Sequence, residues 1–435
     1  MKNKVLKIIV GIAFIMILLG GPGIAGASYS LDQCKDLALR NSLKIKNSEL
    51  AVNASTETKK AAFTSYFPKI SAGGNYFKNS RNLFEMQIPF MPGMEISMFD
   101  RATVFAVTAT QPVFTGGRIF NGNKLAKLGQ QVDEKKLTLT RNEIVLKTEE
   151  QYWQIVSLDE KMKTLEVYSS MLDDLYKQVD DAVKYGVLTR NDLMKISVKR
   201  SELQLKKQKL ENGKHLARMA FCQLLGIPYE PEMVLTEKLD AVIDPQQYYV
   251  ENEKVLQDRA EYQLLQFGVK AEKLRKRMTL GEYLPEIGVG ASGFYMNAMN
   301  NGGVYNFAVF CSVSIPISDW WKGSHILKEK KINEQIAQNT LKDSSELLMV
   351  QMQKAWYEFT ESYKEVSLAR ELVSQSEENL KVTQDTYKQG IITISDLLEA
   401  QALNQEALVK EIEARAGNRV KLVNYLQVTG RYDKN

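Results

Sequence analysis

Apolar residues recur every third or fourth position through most of this chain, and every second position in four short stretches. The first pattern is clearest in "EEQYWQIVSLDEKMKTLEVYSSMLDDLYKQVDDAVKY", where charges fill the intervals, and it predicts helices that pack side by side. Gln130 to Tyr185 and Ser324 to Gln389 contain neither glycine nor proline. At about 1.5 Å per residue the longer of these helices would reach roughly 100 Å. The second pattern predicts strands. In "VYNFAVFCSVSIPI", Tyr305, Phe307, Val309, Cys311, Val313 and Ile315 share one face, and Asn306, Ala308, Ser312 and Ser314 share the other with Phe310. Phe105, Val107, Ala109 and Val113 form a similar apolar face opposite Thr108 and Thr110, and "PKISAGGNYF" and "PEIGVGASGFYM" alternate more weakly. Such alternation suits a bilayer-crossing strand and equally a soluble sheet buried on one side, so by itself it does not choose between them.

The pattern repeats. "KYGVLTRNDL" at 184 to 193 returns as "KQGIITISDL" at 388 to 397, and the same offset pairs Pro112 with Pro316 and Gly226 with Gly430. Upstream, "YFPKI" at 66 to 70 pairs with "YLPEI" at 283 to 287, the first copy carrying a longer stretch with turn residues and no clear period. The chain therefore divides into a first repeat at 28–226, a linker at 227–247 with three prolines, a second repeat at 248–430 and a short tail at 431–435. Each repeat has one order of elements: a helix, a strand pair (69–113 and 286–317), a long helix, a hairpin tip (near 186–189 and 390–393) and a second helix.

Residues 1–27 predict a cleaved export signal: Lys2, Lys4 and Lys7 precede an apolar run that ends at Ala25-Gly26-Ala27. The formal charge of +5 includes those three lysines, so +2 remains beyond them, a balance that does not suggest nucleic acid. Cys34, Cys222 and Cys311 match neither a disulfide framework nor a metal pair and read as small apolar side chains in packed positions. Beyond the signal no segment is apolar enough for a membrane helix, so membrane insertion would have to use strands. Lipid-facing strands must close into a ring, the smallest single-chain barrels have about eight, and this chain supplies four. Several copies would have to share one wall. Trp320 and Trp321 fit either a membrane interface or a packed core.

The opening "SLDQCKDLALRNSLKI", the "YFPKI" and "YLPEI" strand starts, "QPVFTGGR" with its degenerate partner "IPISDWWKG", the two G-x-x-T-x-x-D-L phrases and the closing "LLGIP" and "YLQVTGRY" together resemble the TolC family of outer-membrane export ducts. The resemblance covers the whole chain after residue 27. It implies a mixed α and β membrane protein: a homotrimer with a twelve-stranded outer-membrane β-barrel, four strands from each chain, continued by a long α-helical barrel across the periplasm. It further implies a passive duct without cofactor, metal site or catalysis, set among outer-membrane lipids. A periplasmic adaptor (membrane fusion) protein and an inner-membrane pump of RND, ABC or MFS type would feed it, in efflux or type I secretion. His215 and His325 stand apart from acids and cysteines, and no nucleophile or phosphate-binding motif occurs. The alternative is a structural or adhesive envelope protein with long helices and no conduit.

The repeated phrase reads as a helix-reversing turn. Gly186 and Gly390 fit the left-handed residue that ends a helix, and Thr189 and Thr393 fit the N-cap of the next. Asp192 and Asp396 occupy the capping-box position, and Leu188 with Leu193, and Ile392 with Leu397, have staple spacing. Capping does not account for Glu399, one turn beyond Asp396. By the resemblance, Asp396, Glu399 and Asp192 match the acids of a periplasmic gate. Val187, Leu188, Ile391 and Ile392, with the turn residues Gly186, Thr189, Gly390 and Thr393, match the adaptor-contacting tips. Lys195 stands where the second copy has Glu399, and Ile392 stands where some relatives place an arginine, which leaves open how such a gate would be held shut.

Overall fold

The computed structural model describes residues 28–80, 84–87, 95–98, 101–240, 242–297 and 303–432. The expected export signal at 1–27 and the last three residues of the tail lie outside them. In chain order the elements are β1 (Ser28–Tyr29), α1 (Leu31–Asn41), α2 (Leu43–Phe63), β2 (Lys69–Lys78), β3 (Phe84–Gln87), β4 (Glu95–Met98), β5 (Arg101–Phe114), α3 (Arg118–Lys184) and α4 (Arg190–Leu225). Then follow β6 (Val234–Leu235), α5 (Asn252–Val255), α6 (Ala260–Glu282), β7 (Glu286–Asn297), β8 (Val304–Ser314), α7 (Asp319–Lys388) and α8 (Ile394–Val428).

The two long helices exceed the glycine-free stretches that announced them, running 67 residues in α3 and 70 in α7. They pass through Gly122, Gly129 and Gly323. An interior glycine costs a helix only about 1 kcal/mol against alanine, which packing readily offsets. At Gly323 the reason for glycine is contact: a Cβ there would lie 2.9 Å from the Tyr283 ring.

Two compact units form, and each draws on both repeats because the long helices are divided between them. One comprises Lys44–Thr140 and Glu253–Val350; the other comprises the described residues of Met1–Leu43, Arg141–Asn252 and Gln351–Asn435.

The first unit holds a four-stranded antiparallel sheet in the order β2-β5-β7-β8. The β5–β7 pairing joins strands of different repeats. Register sorts the side chains by chemistry: Gly74, Phe105, Tyr295 and Tyr305 form one cross-strand row, and Ile70, Ala109, Ala291 and Val309 another on the same face. On the opposite face Ser71, Thr108, Ser292 and Ala308 line up, with the Thr108 and Ser292 hydroxyls 2.9 Å apart. The apolar face is bare within one chain: Ile70 is 72 %, Phe307 66 % and Val309 74 % exposed. Among the described residues, β2 and β8 each pair on one side only.

Pro112 lies near the end of β5 at a register irregularity, where its missing N–H is tolerated. Two sequence expectations change here. The longer stretch of the first repeat contains the antiparallel pair β3–β4. Cys311 is exposed on the apolar sheet face and not packed, whereas Cys34 and Cys222 are buried as expected. Trp320 and Trp321 are exposed, and Trp320 Nε1 donates to the Tyr283 carbonyl at 2.9 Å. In "QPVFTGGR" both glycines are left-handed, and a Cβ on Gly116 would collide with the Gly281 main chain. That close approach starts α3, whose Arg118 pairs with Glu286 at 2.6 Å.

The second unit packs α1, α4, α8 and the later parts of α3 and α7. The linker is tied in: β1 pairs in parallel with β6, and buried Asn418 accepts from the Ile243 N–H at 3.1 Å. Buried Glu149 of α3 holds Lys35 of α1 at 2.6 Å and accepts from the Tyr432 hydroxyl at 3.0 Å, so both ends of the described chain meet on one carboxylate. Among the described residues no helix is long and apolar enough to cross a membrane.

Candidate functional site at the helical hairpins

The turns α3–α4 and α7–α8 are built alike, atom by atom. Gly186 and Gly390 have φ of 75° and 74°. Each closes its long helix with the two bonds of a Schellman motif: Gly186 N–H to Val183 O (3.0 Å) and Val187 N–H to Ala182 O (2.8 Å), then Gly390 N–H to Tyr387 O (2.9 Å) and Ile391 N–H to Thr386 O (3.2 Å). Thr189 and Thr393 cap α4 and α8, each in a reciprocal capping box with the aspartate three residues on. Beneath the turns lies one apolar cluster from all four helices, including Leu172, Val179, Ile196, Leu203, Ile394 and Leu397. Leu188 and Leu193 pack on it, while Tyr185, Val187 and Ile391 are 84, 75 and 69 % exposed at the turns.

Two of the three expected gate acids, Asp396 and Asp192, are engaged in caps. Asp396 Oδ2 accepts from the Thr393 hydroxyl at 2.7 Å and its N–H at 2.8 Å; Asp192 Oδ2 accepts from the Thr189 hydroxyl at 2.6 Å and its N–H at 3.3 Å. The threonine hydroxyl bond comes first among the causes that hold each carboxyl below its usual range, and Lys195 adds to both. Glu399 is exposed one turn further along α8 and makes no hydrogen bond or ion pair among the described residues.

Lys195 joins the two hairpins. Its Nζ donates to Ser395 Oγ at 2.9 Å and lies 3.6 Å from Asp192 Oδ1. The Tyr387 hydroxyl, at the end of α7, has its pKa raised by burial first and then by the Asp192 charge. Sequence reasoning marked Lys195 only as a departure from the second copy and passed over Ser395 and Tyr387. The offset between repeats was a usable signal, since it places Lys195 opposite Glu399, but no local pattern shows that the lysine reaches across. Among the described residues no group of three histidine, cysteine, aspartate or glutamate side chains is placed to hold a metal.

With this geometry in view, comparisons with known proteins become specific. Residues 255–430 match the Outer membrane efflux protein family. No curated protein sequence matches the chain. Solved structures share its fold at low identity: the outer membrane protein VceC of Vibrio cholerae (12 % identity, 92 % of this chain and 96 % of that one, TM-score 0.76) and the CmeC outer membrane channel of Campylobacter jejuni (15 %, 92 % and 86 %, 0.77). The MtrE outer membrane channel of Neisseria gonorrhoeae, in its open state, is similar at 16 % identity over 92 % of this chain and 89 % of that one, with a TM-score of 0.72. The match to the Outer membrane efflux protein family thus spans residues 255–430 in the second repeat, and over both repeats the chain shares the fold of these solved outer-membrane channels.

Proposed function

We propose that this chain is one third of a homotrimeric outer-membrane exit duct, in which three four-stranded sheets close one barrel and the helices continue the conduit into the periplasm. One observation carries the reading: a sheet with a bare apolar face and two edges paired on one side only. In hydrocarbon each unpaired backbone group costs several kcal/mol, so the edge groups of β2 and β8 demand a partner strand. The free β8 edge of one copy and the free β2 edge of the next supply each other. The hydroxyl-bearing face then lines a polar interior, as in membrane barrels generally. The duct is passive; an adaptor and an inner-membrane pump deliver its cargo.

Purified protein in detergent would be sized by mass photometry and then added to a planar bilayer. Trimers that conduct ions support the duct. A monomer soluble without detergent, or trimers that pass no ions, would overturn it in favour of an envelope scaffold.

The hairpins form the periplasmic gate in this proposal. Rings of Asp396 and Glu399 from three copies attract cations, and crowded carboxylates resist full ionisation and bind them. Lys195 holds the two hairpins of a copy together, a role that the arginine of some relatives, replaced here by Ile392, cannot fill. The exposed Val187 and Ile391 dock the adaptor.

A further inference from the structure

In the sheet-bearing unit, α2, the start of α3 and α6 lie side by side, and the grooves between them are cationic. Lys124, Lys127, Lys270, Lys273 and Arg277 line the α3–α6 groove with no acid among its walls. The α2–α3 groove shares Lys124 and Lys127 and adds Lys59 and Lys60, again with no acid. Nearby acids are already used: Glu272 pairs with Arg275, Glu334 with Lys276, and Glu57 with Lys60. The Glu334 carboxyl is held low by Lys276 first, with Lys273 and Arg277 adding to it. The five cations of the α3–α6 groove make no ion pair among the described residues.

The side of the unit on which they stand can be read from α3. Ile119 and Gly122 face the cavity beneath the hydroxyl-bearing side of the sheet, with Thr110, Ser312 and Ser314. At about 100° per residue, Phe120, Lys124 and Lys127 project from the other side of the helix. That is the side of the bare apolar sheet face. Between that face and the cations, at the sheet end of the α2–α3 groove, Phe63, Tyr66 and Phe120 are 55, 40 and 54 % exposed, and Lys124 Nζ stands 4.2 Å from the Phe120 ring centroid.

Apolar strands, then aromatic rings, then a cluster of cations without ion pairs follow the order of a bilayer from hydrocarbon to interface to phosphate. We propose that the Lys124, Lys127, Lys270, Lys273 and Arg277 cluster binds the phosphate groups of anionic phospholipids in the leaflet on the helix side of the sheet. Arg277 and Lys124 stand one to two helical turns from the strands, within reach of headgroups, and the deeper lysines act within about one Debye length. The inference rests on the membrane reading above and adds a lipid class to it.

Full-length protein would be reconstituted in nanodiscs of equal phosphatidylglycerol and phosphatidylcholine, and the lipids retained through mild detergent counted by native mass spectrometry. Several cations near one surface predict a phosphatidylglycerol preference of about tenfold at low salt, falling toward parity at high salt. The variant with Lys124→Gln, Lys127→Gln, Lys270→Gln, Lys273→Gln and Arg277→Gln loses the preference and keeps its conductance. Equal retention of both lipids by the unaltered protein, a preference indifferent to salt, or a variant that keeps the preference would each overturn the proposal. The salt series needs no variant, so it decides even where the quintuple substitution fails to assemble. Protein that conducts in phosphatidylcholine alone but shows no preference overturns only the lipid site; protein that conducts in neither membrane overturns the duct.

Discussion

Lys195 Nζ lies 2.9 Å from Ser395 Oγ, a bond between two hairpins that the chain reaches 200 residues apart. The same ammonium is 3.6 Å from Asp192. One cation therefore serves the aspartate of one turn and the helix start of the other. Replacing it by Lys195→Gln is expected to loosen the paired turns and remove positive charge from the proposed gate. Higher single-channel conductance and a reversal potential shifted toward cations in a salt gradient are the expected readings. Because the pair is partly exposed, the stability loss should stay within about 1 kcal/mol.

Asp396→Ala with Glu399→Ala should do the opposite to selectivity. Cation preference and block by divalent cations are expected to fall sharply, with the proposed trimer intact. Unchanged block in bilayer recordings would leave these residues as caps alone.

The two turn aspartates also fix a pH dependence. Both carboxyls are held below their ordinary range, chiefly by the cap hydroxyls, so folding favours the ionised form. Their contribution is fully present above the unfolded-state value of about 3.9 and is lost as pH falls through the lower folded value. Amide exchange at 190–195 and 394–399, normalised for its intrinsic pH dependence, should therefore stay level from neutral pH down to about 4 and lose protection below it.

Two glycines allow backbone strain to be separated from collision. Gly390 has φ 74°, and a Cβ on it would meet nothing within 4 Å, so Gly390→Ala should cost only the left-handed conformation, about 1–2 kcal/mol. At Gly226, with φ 66°, a Cβ would stand 2.6 Å from Asn41 Cβ. Thermal unfolding should rank Gly226→Ala below Gly390→Ala.

Cysteine chemistry tests the sheet. Cys311 belongs to the apolar face and is exposed in a single chain, whereas Cys34 and Cys222 are buried, the Cys34 thiol pushed up to about 12 mainly by burial. In membranes a charged maleimide should leave Cys311 unmodified, while an apolar maleimide should label it. Labelling by the charged reagent would place that face in water.

The parts legible in the sequence were those written in local periodicity. Alternation at Tyr305 to Val313 assigned the sheet faces, and Gly-x-x-Thr-x-x-Asp spelled out both hairpin caps bond for bond. Glycine misled where a neighbour required it: Gly323 lies inside α7 because Tyr283 lies against it, a contact no helical propensity expresses. The Lys195–Ser395 link and the cationic grooves were beyond reach for another reason. Their members come from different helices, and only packing brings Lys124 and Lys270 to one groove.

The β5–β7 seam has an evolutionary implication. There the second strand of one repeat meets the first strand of the next, and in a closed wall β8 would meet the following copy's β2 in that same relation. Every seam then obeys one rule, so a half-length ancestor could satisfy it as a ring of six. Fusing two such ancestors leaves the wall unchanged but lets the two turns diverge, one toward the basic Lys195 and one toward the acidic Glu399, a polarity that six identical subunits could not encode.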